Sequence, residues 1–259
     1  MSDAVPVFAT VPRVRQVALD RPWTWLRAGW IDLVRTPDAS LAYGLALAAF
    51  SAAISLGLWL ADLLYLLLPL TTGFALVAPM LAVGVYEISR QQELGLPASF
   101  RSTAGAIRRN MSQLAAMGLL LALLHLVWVR IAILLYALFF SGQNPSLSEV
   151  VNNMIFTNVG LAFLVLGTSI GFVLAVIAFA ISAVSLPMLV DKPVSAFTAV
   201  ATSVAVVRRN AKPMALWAVL IAAFTALGIV TFYLGLILVL PLIGHATWHA
   251  YRDLVELPG

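Results

Sequence analysis

Histidine, acidic and basic side chains inside apolar sequence are the first places to look for chemistry. His245 and His249 stand four residues apart, on one face of a helix, with Arg252 a further turn along the same side. Two imidazoles at that spacing can hold part of a metal site, but a zinc-like site needs further ligands. The chain has no cysteine and no HExxH, CxxC or EF-hand pattern, so the pair is expected to hydrogen-bond to neighbouring helices or headgroups, without a metal. His125 and His245 fall at depths that differ by only about 5 Å at helical rise. That leaves bis-histidine haem ligation open geometrically, yet intramembrane histidines mostly bond between helices, and no haem or other cofactor is expected. No nucleophile–base constellation is legible, so enzyme chemistry is not expected either.

The charged candidates read more simply. Glu87 lies three residues before Arg90, a spacing that forms a local helical ion pair. Arg130 falls about 27 Å along its apolar segment, where its guanidinium can snorkel to the far interface. Asp62 fits a solvated turn.

These residues are set in a chain that is 62% hydrophobic and only 10% charged over 259 residues, against about 25% charged in soluble domains. Six apolar stretches, near 40–61, 65–89, 112–140, 158–184, 213–232 and 235–251, are long enough or nearly so to cross roughly 30 Å of hydrocarbon. The fold class expected is an all-α membrane protein of six transmembrane helices. Fourteen of the fifteen Lys and Arg residues fall on one side of such an arrangement, Arg130 being the exception. The positive-inside rule makes that side cytoplasmic, with both termini there, in a multi-pass membrane protein. Residues 1–22 show no apolar signal-peptide core. The basic residues point to anionic lipid as a partner rather than nucleic acid.

A flexible tail over 1–21 and one membrane domain over 22–256 are expected. In residues 22–36, Trp23, Leu26, Trp30 and Leu33 share a stripe, which predicts an amphipathic surface helix anchored by Trp23 and Trp30. Residues 97–110 and 193–210 read similarly, and Trp248 is expected as a further interface anchor. A surface helix followed by a two-helix hairpin would then occur three times, in units of about 22–90, 97–190 and 193–256. Pro79, Tyr86, Glu87 and Arg90 match the spacing of Pro241, Trp248, His249 and Arg252; Pro97, Pro193 and Pro258 follow the three returning helices. The match predicts that Glu87 approaches His249 or Arg252. Pro69, Pro79, Pro187 and Pro241 are expected to kink or break helices. Gly167 and Gly171 form a GxxxG pair suited to close helix contact or dimerisation. Residues 141–157 form a polar outer loop, with a short helix expected over 146–156.

The segments WTWLRAGWIDLVRTPDASLAYGL (23–45), LPLTTGFALVAPMLAVGVYEISR (68–90), FAISAVSLPMLVDK (179–192) and PLIGHATWHAYRDLV (241–255) resemble a bacterial integral membrane family of unknown function, domain of unknown function 2189. Some members are labelled cytochrome c oxidase subunits. Three scattered histidines fall short of a haem-copper ligand set, so the resemblance implies an accessory place rather than a catalytic one. The functional expectation is a non-catalytic accessory or assembly partner of a membrane complex, with a transporter or channel for a small or hydrophobic solute as the alternative. Complex subunits or further copies of the chain are the protein partners expected.

Overall fold

The structure, a computed structural model, describes residues 12–63, 66–99, 108–140 and 155–256. The chain enters through a short strand, β1 (Arg13–Val14), and a surface helix, α1 (Arg21–Arg35), opened by Pro22 in its first turn. Two long stretches follow: α2 (Pro37–Leu60), then α3 (Leu67–Leu81) continued by α4 (Val83–Glu93). After them come α5 (Met111–Phe139) and α6 (Asn158–Ser182), the latter continued by α7 (Ser185–Asp191). A second surface-type helix, α8 (Ala196–Arg209), leads into α9 (Ala211–Val230) and α10 (Leu236–Leu254). The closing strand, β2 (Val255–Glu256), pairs antiparallel with β1, Arg13 opposite Glu256.

Among the described residues, five stretches are long and apolar enough to cross a membrane: Pro37–Leu60, Pro69–Glu93, Met111–Phe139, Asn158–Asp191 and Ala211–Val230. The protein is thus an all-α membrane protein, and five of the six expected crossings have the required length and composition. The sixth expected segment is helical, as α10, but falls short of that apolarity. The reason lies in its position. α10 packs against α1, α2, α4 and α9, and Gly244, His245, Ala246, Thr247 and Trp248 are all buried. A helix enclosed by other helices needs no lipid-soluble surface, so it can carry polar residues.

Proline breaks two returning segments, as expected, and leaves a third intact. α3 ends two residues after Pro79, and the Leu81 carbonyl freed at the break accepts a 2.6 Å hydrogen bond from the Tyr43 hydroxyl. The α6–α7 break precedes Pro187; Ser182 and Ser185 donate to the Ala178 and Ile181 carbonyls, and Val184 N–H donates to Ser203 Oγ. Such substitutes are required where backbone groups leave the helical ladder away from water. Pro241 lies inside α10 without ending it.

Three junctions share one backbone conformation. Thr36, Asn110 and Asn210 each stand immediately before a membrane-length helix, with φ/ψ of −129/55, −139/42 and −120/41. Each side chain stitches its corner: Thr36 to Asp32 O and Ser40, Asn110 to the carbonyls of Leu189 and Val194, and Asn210 to Arg15 O and Val17 N–H. The surface helix expected over 97–110 falls largely on residues 100–107, outside the described residues. So do most of the loop at 141–157, half of the tail over 1–21, and Pro258.

The tight core gathers at the basic end of the bundle, around Trp25, Tyr86, Leu186, Met188, Trp217, Trp248, Tyr251 and Leu254. Trp25 meets Trp217 edge-on at 5.8 Å. Small residues let α10 sit at the centre: a Cβ at Gly29 would lie 2.6 Å from Ala246 N, and one at Gly44 would lie 2.1 Å from Ile237 O. The GxxxG pair of α6 is used within the chain, since a Cβ at Gly171 would meet the Trp128 ring at 3.1 Å.

Gly29→Leu is therefore expected to lever α1 off α10, lowering stability by about 1–3 kcal/mol as overpacking does. Gly57→Leu, where a Cβ meets nothing within 4 Å, is the matched control. Thermal melting in detergent should separate the two; equal melting temperatures would refute the close α1–α10 contact.

Candidate functional site

The chemistry-bearing side chains converge at the basic end, on a buried carboxylate. Asp32, on α1, is only 6% exposed. Its face is set by spacing: Trp25, Gly29 and Asp32 fall at i, i+4 and i+7 and all turn inward. The Oδ2 atom accepts from Ser89 Oγ of α4 at 2.7 Å and from His249 Nε2 of α10 at 2.9 Å. Ser89 also lies 2.7 Å from His245 Nδ1, and His245 Nε2 lies 2.9 Å from Ser40 Oγ of α2.

Proton bookkeeping orders this chain of contacts. An ionised carboxylate only accepts, so the single Ser89 hydrogen goes to Asp32. Ser89 must then accept from His245 Nδ1–H. In neutral His245 the Nε2 lone pair is left to accept from the Ser40 hydroxyl. One carboxylate thus fixes the tautomer of a histidine it does not touch directly, the Asp32 Oδ2 to His245 Nδ1 separation being 4.0 Å. Gln92 extends the network, its amide donating to Asp32 O and Thr36 Oγ1. Burial of Asp32 works to raise its pKa, but hydrogen bonds from His249 and Ser89, together with the fields of both histidines, outweigh burial and hold it below the usual aspartate value.

Ser40, His245 and Asp32 have the residue types of a nucleophile, a base and its orienting acid. The geometry forbids that use. Ser40 and His245 are 0% exposed, so no substrate carbonyl can reach the hydroxyl. Both ring nitrogens of His245 are engaged by serine hydroxyls, which also occupies the positions an axial haem bond would use. Among the described residues no three His, Asp or Glu side chains form a metal-holding group.

Three further clusters flank this one. Glu87 is 1% exposed, and the expected ion pair with Arg90 forms at 3.5 Å. A non-local partner, Arg109, reaches both its carboxylate oxygens, while the Gln91 amide donates at 2.9 Å. The link from the second returning segment to α10, expected of Glu87, is made by Glu93 instead. Glu93 accepts from Arg252 at 2.7 Å and from Trp248 Nε1 at 3.0 Å, and Arg252 also approaches Asp191 at 3.5 Å. One guanidinium thereby ties the ends of α4, α7 and α10. On α1 and α10, Arg21 and Trp25 Nε1 both donate to Asp253.

The other expected sites are scattered. His125 lies towards the other end, with Nδ1–H donating to Gly73 O at 3.0 Å. Arg130 is exposed, and Asp62 is exposed in a turn with φ of 56°. Trp23 and Trp30 are 55% and 47% exposed, as outward anchors would be. Trp248, expected beside them, is instead 1% exposed because its indole N–H is needed by Glu93. Leu33, placed on the outward stripe, also turns inward.

Residues 67–191 match the model of the family described as Predicted integral membrane protein (DUF2189), and over that stretch the resemblance read from the sequence holds. No curated protein and no solved structure matches the chain.

The depressed pKa of Asp32 gives a signed pH dependence. Its contribution is complete above the ordinary aspartate pKa of about 3.9 and is lost as pH falls through the lower folded-state value. Asp32→Asn should cost about 2 kcal/mol at neutral pH. In detergent melts from pH 7 to pH 3, the gap to wild type should begin to narrow as pH falls below about 4. A gap unchanged down to pH 3 would remove the ionised carboxylate from this role.

Proposed function

We propose that this chain is a non-catalytic partner in a bacterial inner-membrane complex: an accessory or assembly subunit, with a respiratory complex the first to examine. The observation that carries this reading is the burial of the reactive pair at the centre of the polar cluster. The groups with the right chemistry to react, Ser40 and His245, are shut from solvent and spent on each other and on Ser89. Such a cluster fixes one arrangement of helices, since a half-satisfied buried network is worse than none. Meanwhile α6 presents Leu161, Val165, Phe172 and Val173 outward, a surface that lipid or partner helices can cover.

The same reading takes the domain over 22–256 as six crossings with the basic end and both termini cytoplasmic. The β1–β2 pairing supports the even number. It brings the start and finish of the chain to one end of the bundle, which five crossings alone would separate. The common backbone conformation at Thr36, Asn110 and Asn210 supports the threefold surface-helix-and-hairpin repeat. Parallel repeats of this kind relate by an axis along the membrane normal. Anionic lipid at the basic end, around the exposed Trp23 and Trp30, belongs to the same picture.

A second reading, transport or channelling of a small or hydrophobic solute, draws on one observation, a cavity of about 210 Å³ among the membrane helices. Solute flux into liposomes above the protein-free rate would favour it.

Two measurements bear on the first reading. Purified in mild detergent, the tagged chain should carry stoichiometric subunits of one membrane complex, and a deletion strain should hold less of that complex assembled. Unchanged assembly of every respiratory complex would sink the respiratory form. The natural absence of cysteine makes topology direct to test. An impermeant maleimide on cells whose outer membrane has been made permeable should label Phe232→Cys and spare Arg209→Cys; the reverse would invert the orientation.

A further inference from the structure

The cavity lies in the half of the bundle away from the basic end. Its α2 wall begins at Leu47, ten residues and so about 15 Å into that helix, and His125 stands about 21 Å into α5. Phe50, Ile54, Leu70, Phe74 and Val77 make the lining predominantly apolar. At about 210 Å³ it exceeds the engineered cavity of about 150 Å³ that stays dry and binds benzene.

Three details give the cavity a preference. First, the His125 ring on its wall is held in one tautomer: Nδ1–H donates to Gly73 O, so in the neutral ring Nε2 is an acceptor, and it has no partner among the described residues. Second, Gly73 is the seat of that ring, because a Cβ there would lie 2.6 Å from His125 Nδ1. Third, the α9–α10 turn holds two successive non-glycine residues, Phe232 and Tyr233, at φ of 52° and 68°. Left-handed backbone at non-glycine residues costs about 1–2 kcal/mol each. It persists here with Tyr233 on the cavity wall and its hydroxyl 2.8 Å from Ser55 Oγ. Ser55 gives its own hydrogen to Ser51 O, so Tyr233 donates to Ser55 and its oxygen keeps acceptor capacity.

We propose that this cavity binds an apolar chain carrying a hydroxyl group, the chain filling the leucine- and phenylalanine-lined space and the hydroxyl donating to His125 Nε2. An ordinary lipid tail would fill the same volume without using the acceptor, so the two occupants differ in one hydrogen bond. At an apolar site, a donor that satisfies the acceptor discriminates against an analogue lacking it.

The test uses the full chain in lipid nanodiscs and a twelve-carbon primary alcohol bearing a mid-chain diazirine. Light should attach the probe to peptides covering 47–58 and 67–81. 1-Dodecanol should compete at least tenfold better than dodecyl methyl ether, which cannot donate, or dodecane. His125→Phe should erase that preference, and Val77→Phe, which fills the space, should remove labelling of both peptides. Equal competition by alcohol, ether and alkane in the wild type would overturn the proposal in favour of ordinary lipid tails. So would label spread over the outward-facing Leu134, Leu138 and Val165. Should His125→Phe not fold, the wild-type alcohol-to-ether ratio decides the donor question and Val77→Phe decides the location.

Discussion

The basic end of this protein is organised by a carboxylate removed from water. An ionised aspartate so enclosed must be partnered, or folding would leave a costly bare charge. The donors that satisfy Asp32 come from three different helices once its indirect reach is counted: Ser89 from α4, His249 from α10, and Ser40 from α2 through His245. Three helices are thus placed against a fourth, the surface helix α1, by one group. The donors also enforce direction, since the hydrogen each serine gives fixes which lone pair remains for the next contact. Replacing such a cluster by apolar residues can be stabilising elsewhere. What it supplies here is a single register among helices that could otherwise slide.

That register matters because the two halves of the bundle are held by different forces. Between lipid-facing helices there is no hydrophobic drive, and association rests on close packing and interhelical hydrogen bonds. Only 6% of the best apolar window in Asn158–Asp191 is buried inside the protein. At the basic end, by contrast, α1, α4, α7, α8 and the end of α10 enclose a dense core in which Trp25, Trp217, Trp248 and Tyr251 are each at most 1% exposed. The fold is clamped at one end and more open at the other. A cavity beside α2 and α3 is the expected consequence of that distribution, with Tyr233 of the strained turn on its wall.

How much of this was legible in the sequence follows from the range of the interactions. Membrane helices are local facts of apolar length, and five of the six stretches read as crossings have the length and apolarity of membrane spans. Proline breaks and polar junctions were equally local. The site was not. Asp32 lies off the stripe marked by Trp23 and Trp30, although Trp25, Gly29 and Asp32 carry an inward spacing of their own. Ser40 and Ser89 had no signal at all, since an isolated serine in a membrane segment usually bonds its own helix backbone. Glu87 was expected to meet His249 or Arg252 on α10; its non-local partner is Arg109, 22 residues away, a spacing that no local helical pattern joins.

α10 shows why composition undersold one helix. Apolarity is demanded of surfaces that meet lipid, and α10 is ringed by α1, α2, α4 and α9. Freed from that demand, it carries His245, His249 and Arg252 on the side facing its neighbours. Arg252 then closes the arrangement at its end. A single cation between Glu93 and Asp191 neutralises carboxylates from two other returning segments, so α4 and α7 are each attracted to α10 and would repel one another without it. If the chain arose from three similar units, their returning helices cannot be equivalent in charge: one must supply the cation that the other two share. The helix least like a membrane segment is therefore the one the other returning helices need at their centre.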